Sequence, residues 1–157
     1  MQIIFYENRY GDWTDKVIRW KTASWKQRFN GSWKDLPSHV ELLFSNKEMF
    51  SASQYENKVR YKQCNTKAKC WTPISIECDE HKVKEWCDKH VGKKYDYMGV
   101  LGFVLPFVHD NKNKWFCSEI CCEALKQNTD LIPKVVISSK TSPAKLKEII
   151  GMLKCQK

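Results

Sequence analysis

The sequence lacks the features that usually separate one domain from the next. It contains no internal repeat, no low-complexity tract and no Gly/Ser-rich linker, and only six of its residues are glycine. Nothing therefore marks a boundary between two domains. Its 157 residues, 42% of them hydrophobic, match the usual length of one compact domain. We expect residues 1–157 to form a single domain.

Two kinds of hydrophobic segment are also missing. The opening stretch MQIIFYENRY has no basic segment followed by a long apolar run and a small-residue cleavage site, so no signal peptide is predicted. The longest apolar run, YMGVLGFVLPFV at 97–108, is too short to span a bilayer and contains Pro106. These two absences predict a soluble, cytoplasmic protein without a transmembrane segment.

Cysteine and positive charge, in contrast, are plentiful. Because no export signal is visible, we expect the eight cysteines to be free thiols, metal ligands or nucleophiles rather than disulfides. Lys and Arg outnumber Asp and Glu by 27 to 18, a formal net charge of +9. This charge favours an anionic partner such as a nucleic acid, an anionic membrane surface or an acidic substrate.

Hydrophobic periodicity predicts strands in the first half of the chain and helices in the second. A first strand, QIIFY, precedes an amphipathic helix, DWTDKVIRWKTA, with Asp12 as N-cap and its tryptophans in the core. The segment SWKQRFNGSWKDLP is predicted to be a loop. HVELLF and EMFSAS predict a β-hairpin, and KVRYK and WTPISIE two further strands. The later helices are DEHKVKEWCDKHVG, DYMGVLGFVL, SEICCEALKQN and TSPAKLKEIIGML. This order indicates an α+β fold, an antiparallel sheet flanked by helices.

Three cysteines lie within KWFCSEICCEAL at 114–125. Cys117 is predicted to stand at the start of a helix, where free backbone N–H groups and the helix dipole stabilise a thiolate. The thiolate is the nucleophilic form of cysteine. Cys121 and Cys122 fall inside the helix and are expected to be core residues. Cys117 is thus the candidate nucleophile, and a purely structural role is the alternative.

A nucleophilic cysteine needs a base that a third polar group holds in place. His39 begins the HVELLF strand, and Glu41 projects from the same face because side chains alternate along a strand. Across the hairpin, Ser51 or Ser53 offers another third group. His109, followed by Asp110 and eight residues before Cys117, is the rival base. The two remaining histidines, His81 and His90, belong to a helix and lack an adjacent orienting group.

Four segments in order resemble one family: PSHVELLFSNKEMFSAS, HVGKKYDYMGVLGF, FCSEICCEAL and SPAKL. They are similar to the circularly permuted NlpC-type papain-like proteins, the YiiX-like group, which is related to the lecithin retinol acyltransferase-like enzymes. The resemblance covers residues 3–149. It implies a papain-like fold in which the histidine strand precedes the cysteine helix, with His39 and Cys117 as catalytic pair. Tyr95 and Tyr97 match a segment near the pocket. Many relatives carry glycine where this chain has Glu41 and an acidic residue or histidine where it has Ser51.

The implied chemistry is acyl transfer through a thioester. Cys117 attacks a carbonyl, His39 moves the proton, and the Cys117 backbone N–H with Tyr95 stabilises the oxyanion. No cofactor or metal is expected, and the substrate class is a peptide or a peptidoglycan-type amide, with lipid acyl transfer or thioester hydrolysis as the variant that relatives show. Further candidates for substrate or oxyanion contact are Ser118, Ser51 and Trp33.

Three competing hypotheses concern other residues. Cys78, His81, Cys87 and His90 have a zinc-like spacing, but on one helix His81 and Cys87 are about 600 degrees apart, so the four cannot converge. The aromatic segment with Trp25, Phe29 and Trp33 leads into His39 and is a candidate lip of the active-site cleft. Finally, a basic and aromatic papain-like scaffold suits a binding module for nucleic acid or a host protein that performs no catalysis.

Overall fold

The computed structural model describes residues 1–7, 11–64, 70–97 and 113–155. Within these ranges the protein is an α+β structure, as predicted, with a curled seven-stranded sheet and five helices. The strands are β1 Gln2–Tyr6, β2 His39–Leu43, β3 Glu48–Ser53, β4 Lys58–Gln63, β5 Trp71–Ser75, β6 Lys94–Tyr95 and β7 Lys114–Trp115. The helices are α1 Trp13–Thr22, α2 Trp25–Asn30, α3 Glu80–Asp88, α4 Cys117–Asn128 and α5 Pro143–Cys155.

The strands follow the order β5-β1-β2-β3-β4-β6-β7. Every neighbouring pair is antiparallel except β6 and β7, which are parallel. The sheet is therefore mixed rather than antiparallel throughout, and the fold prediction needs this correction. Both strands of the parallel pair have only two residues, too short to give a hydrophobic pattern that a sequence would reveal.

The hairpin and the helix caps form where the sequence predicts them. Strands β2 and β3 pair through Leu42 and Phe50, and Lys47 in their turn has a φ of 65°. Asp12 caps α1 by accepting a hydrogen bond from the Asp15 backbone N–H at 2.9 Å. Ser142 caps α5 in the same way. Local signals in the sequence therefore fix most element boundaries.

Two predictions for residues 13–37 are wrong. The segment expected to be a loop contains α2 and a 3-10 turn at Ser32–Asp35. A capping box explains this helix, since the Ser24 hydroxyl accepts from the Gln27 N–H while the Gln27 side chain accepts from the Ser24 N–H. The tryptophans of α1 are also not in the core, because Trp13 and Trp20 are exposed.

One hydrophobic core lies between the sheet and α4. Strands β1 to β4 contribute alternate residues such as Phe5, Val40 and Phe50, and α4 contributes Ile120 and Leu125. Helix α4 contacts β2, β3, α3 and α5, so it is the central helix of the fold. No helix of the described residues has the length and apolar character needed to cross a membrane. The predicted helix DYMGVLGFVL falls mostly outside the described residues.

Candidate active site

The candidate site forms where strands β2 and β3 stop pairing. Their ladder includes Leu42 with Phe50 and Leu43 with Met49, and it does not continue to His39. Cys121 of α4 lies over this opening, with Sγ 3.7 Å from the Val40 carbonyl oxygen and 3.9 Å from that of Phe50. Cys117 is about one helical turn nearer the start of α4, so the helix start reaches the His39 end of β2.

His39 and Glu41 are in direct contact. Alternation along β2 puts both side chains on one face, and Nε2 of His39 donates to Oε1 of Glu41 at 3.0 Å. No bridging water is needed for this contact. Nδ1 is then the ring nitrogen left for another partner, and Cys117 is close enough to raise the pKa of His39. The structure thus shows the imidazole–carboxylate contact directly and places Cys117 in the neighbourhood of the imidazole.

The same carboxylate oxygen has two further cationic partners. Arg60 Nη2 donates to Oε1 of Glu41 at 2.9 Å, and Lys62 Nζ lies 3.0 Å from it. Both cations come from β4, at positions that share one face because they are two residues apart. Arg60 also donates through Nε to Glu56 at 3.1 Å. Glu41 is fully buried, so these partners offset the cost of burying its charge.

These contacts move the pKa values of His39 and Glu41 in opposite directions. Burial lowers the pKa of His39, but charge interaction and hydrogen bonding with Cys117, followed by those with Glu41, outweigh it and raise the value to about 9. Burial raises the pKa of Glu41, but the hydrogen bond and charge of His39 and then the charges of Arg60 and Lys62 lower it to about 2. At neutral pH the structure therefore favours an imidazolium beside a carboxylate.

His39 opens onto a cavity of about 180 Å³ beside the sheet. The His39 side chain is 25% exposed, whereas Cys117 is only 4% exposed and is not among the lining residues. The cavity therefore reaches His39 but is not lined by Cys117. The lining side chains are Tyr6, Asp15, Ile18, Ser38, His39, Ser53, Gln54, Tyr55, Arg60, Lys62, Trp71 and Tyr95.

The other predicted site residues divide between this cavity and the protein interior. Tyr95 lines the cavity, and burial raises the pKa of its phenol, which keeps the hydroxyl a hydrogen-bond donor. Ser53 also lines it. Ser51 donates its hydroxyl to the Val40 carbonyl oxygen at 2.8 Å, which is a bond between strands. Ser118 is fully buried beside Cys117, and its hydroxyl has no partner among the described residues.

Residues of the aromatic segment lie away from this cavity. Trp33 is half-buried, with Lys34 Nζ 5.8 Å from the centre of its ring, and is not among the lining residues. Trp25 and Phe29 are likewise not among them. Helix α1 lines the cavity instead, through Asp15 and Ile18.

The remaining histidines have other surroundings or cannot be described. His81 pairs with Glu85 at 3.4 Å on the surface of α3. His90 stacks on Trp86 with ring centres 3.7 Å apart and contacts its carbonyl oxygen through Nδ1. His109 lies outside the described residues. Within residues 1–7, 11–64, 70–97 and 113–155, no three or more His, Cys, Asp or Glu side chains are grouped so that they could hold a metal ion.

Sequence reasoning missed Arg60, Lys62 and Trp71. Trp71 of β5 places its ring 6.3 Å from that of His39, with Lys62 Nζ 5.8 Å from the tryptophan ring centre. The alternation of basic and apolar residues in KVRYK was a usable signal, because it puts Arg60 and Lys62 on one face. Their pairing with Glu41 additionally requires the register that joins Ser51 to Arg60.

Comparisons of the chain with protein-family models, with curated proteins and with solved structures find no match in any of the three. The candidate site is therefore defined by its geometry and by the class of fold, an α+β structure with a mixed sheet.

Proposed function

We propose that the protein is a cysteine-dependent hydrolase of the permuted papain-like type, which transfers an acyl group through a thioester. The main support is the His39–Glu41 contact of 3.0 Å, with Cys117 close enough to the imidazole to raise its pKa. Cys117 is the first residue of α4, as a nucleophile at a helix N-terminus requires. The sequence resemblance to the YiiX-like group agrees with the order of these residues along the chain.

The proposed reaction starts from a thiolate beside an imidazolium. The Cys117 sulfur attacks the substrate carbonyl carbon, and the carbonyl π electrons move to the oxygen. The backbone N–H of Cys117, at the start of α4, lacks an intrahelical acceptor and would stabilise this oxyanion, with the Tyr95 hydroxyl as a second donor. His39 then gives its proton to the leaving group as the carbon–leaving-group bond breaks. A thioester remains on Cys117.

Water completes the cycle. His39 is now neutral and takes a proton from a water molecule while the water oxygen attacks the thioester carbon. The carbon–sulfur bond then breaks and releases the acid. Glu41 does not gain a proton at neutral pH, because its pKa is about 2. Its role is to hold the ring and to stabilise the imidazolium, as the third member of such triads does. The proposed substrates are peptides or peptidoglycan-type amides, and lipid acyl groups fit the same steps.

Alkylation with iodoacetamide at pH 7, read by mass spectrometry, tests the pair of Cys117 and His39. Exposed Cys155 serves as an internal reference in every sample. We expect His39→Ala to slow labelling of Cys117 by at least about tenfold while Cys155 is unchanged. Burial raises the pKa of both Cys121 and Cys122, so neither should label quickly. Equal labelling of Cys117 in wild type and variant would favour a binding module without catalysis.

A small activated ester, p-nitrophenyl acetate, tests the acyl-enzyme itself. Wild-type protein should gain one acetyl group on Cys117, and Cys117→Ala should gain none there. Cys121→Ala is the matched control, because it removes a thiol of the same helix that has no proposed chemistry. Acetylation that persists in Cys117→Ala at the wild-type rate would show that the nucleophile lies elsewhere.

A further inference from the structure

Helix α1 exposes both of its tryptophans to solvent and buries a charged side chain. Trp13, Val17 and Trp20 follow the spacing of one helical face, yet Trp13 is 77% and Trp20 42% exposed. Arg19 is fully buried, and its Nη1 donates to the Lys34 carbonyl oxygen at 3.0 Å. A large apolar stripe in water is unfavourable, and such exposure commonly marks an interaction site.

Helix α2 extends this exposed stripe. Trp25 is 73% and Phe29 75% exposed, and their rings meet edge to face with centres 4.8 Å apart. Arg28 fixes α2 against α1, since its Nε donates to the Trp20 carbonyl oxygen at 2.9 Å and its Nη2 to that of Lys21 at 3.0 Å. These bonds hold α2 against the last turn of α1. We define the exposed aromatic residues of the two helices as the aromatic face: Trp13, Trp20, Trp25 and Phe29.

Basic side chains surround the aromatic face. Lys16 and Lys26 are exposed, and Lys21 and Arg28 approach the Trp20 ring at 5.1 Å and 4.5 Å. Asp15 is the only acidic residue between positions 13 and 30. A partner that complements this surface must offer an apolar region that the aromatic rings can enter, together with negative charge.

We propose that the aromatic face binds the surface of a bilayer that contains anionic lipids. Tryptophan and phenylalanine enter the boundary between headgroups and acyl chains, while lysine and arginine reach the lipid phosphates. Single-stranded nucleic acid instead needs flat rings free for base stacking. Here Lys21 and Arg28 lie close to the Trp20 ring, and Trp25 and Phe29 contact each other. A second copy of the chain is disfavoured, because basic surfaces would meet.

Co-sedimentation with large unilamellar vesicles tests this surface. One set of vesicles is phosphatidylcholine alone, and the other contains phosphatidylserine in addition. Wild-type protein should bind the second set, less so at high salt. Trp25→Ala/Phe29→Ala should weaken binding by at least about tenfold, because both side chains enter the interface. The tryptophan emission of the wild type should shift to shorter wavelength when it binds.

Charge reversal separates the aromatic face from general attraction by the net charge. Lys16→Glu/Lys26→Glu should weaken binding to phosphatidylserine vesicles by at least about tenfold. Lys89→Glu/Lys140→Glu removes the same number of positive charges from exposed positions elsewhere and should change it by less than about threefold. Equal effects of the two double variants would overturn the proposal.

Other binding partners of the aromatic face would give different results in these tests. Absence of binding to anionic vesicles at low salt overturns the proposal, whatever else the protein binds. Binding of single-stranded RNA, or self-association in analytical ultracentrifugation, that depends on Trp25 and Phe29 without vesicle binding would assign the aromatic face to that partner instead. Because the test uses no turnover, its result is independent of whether Cys117 is catalytic.

Discussion

Among the described residues two arginines are buried, and their surroundings differ. Arg60 in β4 meets Glu41 at 2.9 Å and Glu56 at 3.1 Å, so its charge is matched by carboxylates. Arg19 in α1 donates to one carbonyl oxygen, and its Nε and Nη2 have no partner among the described residues. Pairing thus accounts for the burial of Arg60. Arg19 is buried without such pairing among the described residues, on a helix whose tryptophans are exposed.

The two arginines show two different ways in which a charged side chain comes to be buried in this protein. Around Arg60, the strands bury an ion-pair network in which Arg60 and Lys62 share Oε1 of Glu41, while Glu41 Oε2 and Arg60 Nη1 have no partner among the described residues. In α1, the sequence pattern and the observed orientation disagree. Such conflicts between local pattern and fold are expected at functional surfaces, where another requirement overrides burial.

The largest expected effect is on the buried carboxylate. Glu41→Gln leaves Arg60 and Lys62 without their shared anion, and loss of one partner of a buried ion pair typically costs about 3–5 kcal/mol. Urea unfolding at pH 7 measures this loss. Glu56→Gln is the matched control, because Glu56 is half-exposed and its loss should cost less than about 1 kcal/mol. Equal losses would remove the distinction between a buried network and surface pairing.

The pH dependence of stability tests the same network at its histidine. Since the pKa of His39 rises from 6.5 in the unfolded chain to about 9, its contribution is complete below pH 6.5 and is lost as pH rises through 9. At about 1.4 kcal/mol per pKa unit, we expect this loss to be roughly 3 kcal/mol. Glu41 has the opposite pH dependence. It contributes to the stability of the fold above pH 4.5, and this contribution is lost as pH falls toward 2.

Comparison of wild type with His39→Gln isolates this alkaline loss. Buried cysteines such as Cys121 also destabilise the fold at high pH, but they do so in both proteins. Urea midpoints between pH 6 and pH 9 should therefore converge as pH rises. A constant difference across this range would contradict the raised pKa of His39.

Arg19 should tolerate replacement by methionine, whereas Arg60 should not. Burying a charge without a carboxylate partner is unfavourable, so an apolar side chain of similar length removes that cost. We expect Arg19→Met to change the free energy of unfolding by less than about 1 kcal/mol. Arg60→Met should cost several times more, because it leaves Glu41 with fewer partners. A loss above about 2 kcal/mol for Arg19→Met would show that the two arginines are equivalent.

The sequence predicts the strands and caps well because these depend on local signals. Alternation marks β2, and Asp12 and Ser142 mark helix starts without any knowledge of the tertiary structure. The same alternation places His39 and Glu41 on one face. Cys117 as the start of α4 is also a local prediction, since KWF precedes a helical pattern.

Features that depend on register and orientation could not be predicted in this way. Arg60 reaches Glu41 only because β3 lies between their strands in one particular register, which no local pattern specifies. The two-residue strands β6 and β7 are too short for a periodic signal. For α1 the predicted helical period is correct, but the predicted orientation of its tryptophans toward the core is wrong. A hydrophobic stripe indicates that a helix makes a contact without identifying the partner.

The smallest expected effect concerns the aromatic face itself. Trp25→Ala/Phe29→Ala should change the free energy of unfolding by less than about 0.5 kcal/mol per residue, because both side chains are already mostly in water. Phe50 lies in the core, on the strand between β2 and β4. Phe50→Ala should lower the free energy of unfolding by about 3–5 kcal/mol in the same urea titration. If Trp25 and Phe29 proved as costly as Phe50, they would be structural, and the contrast between α1–α2 and the strands would disappear. A neutral result means that folding does not require these aromatic residues, so that any requirement for them arises from what the surface binds.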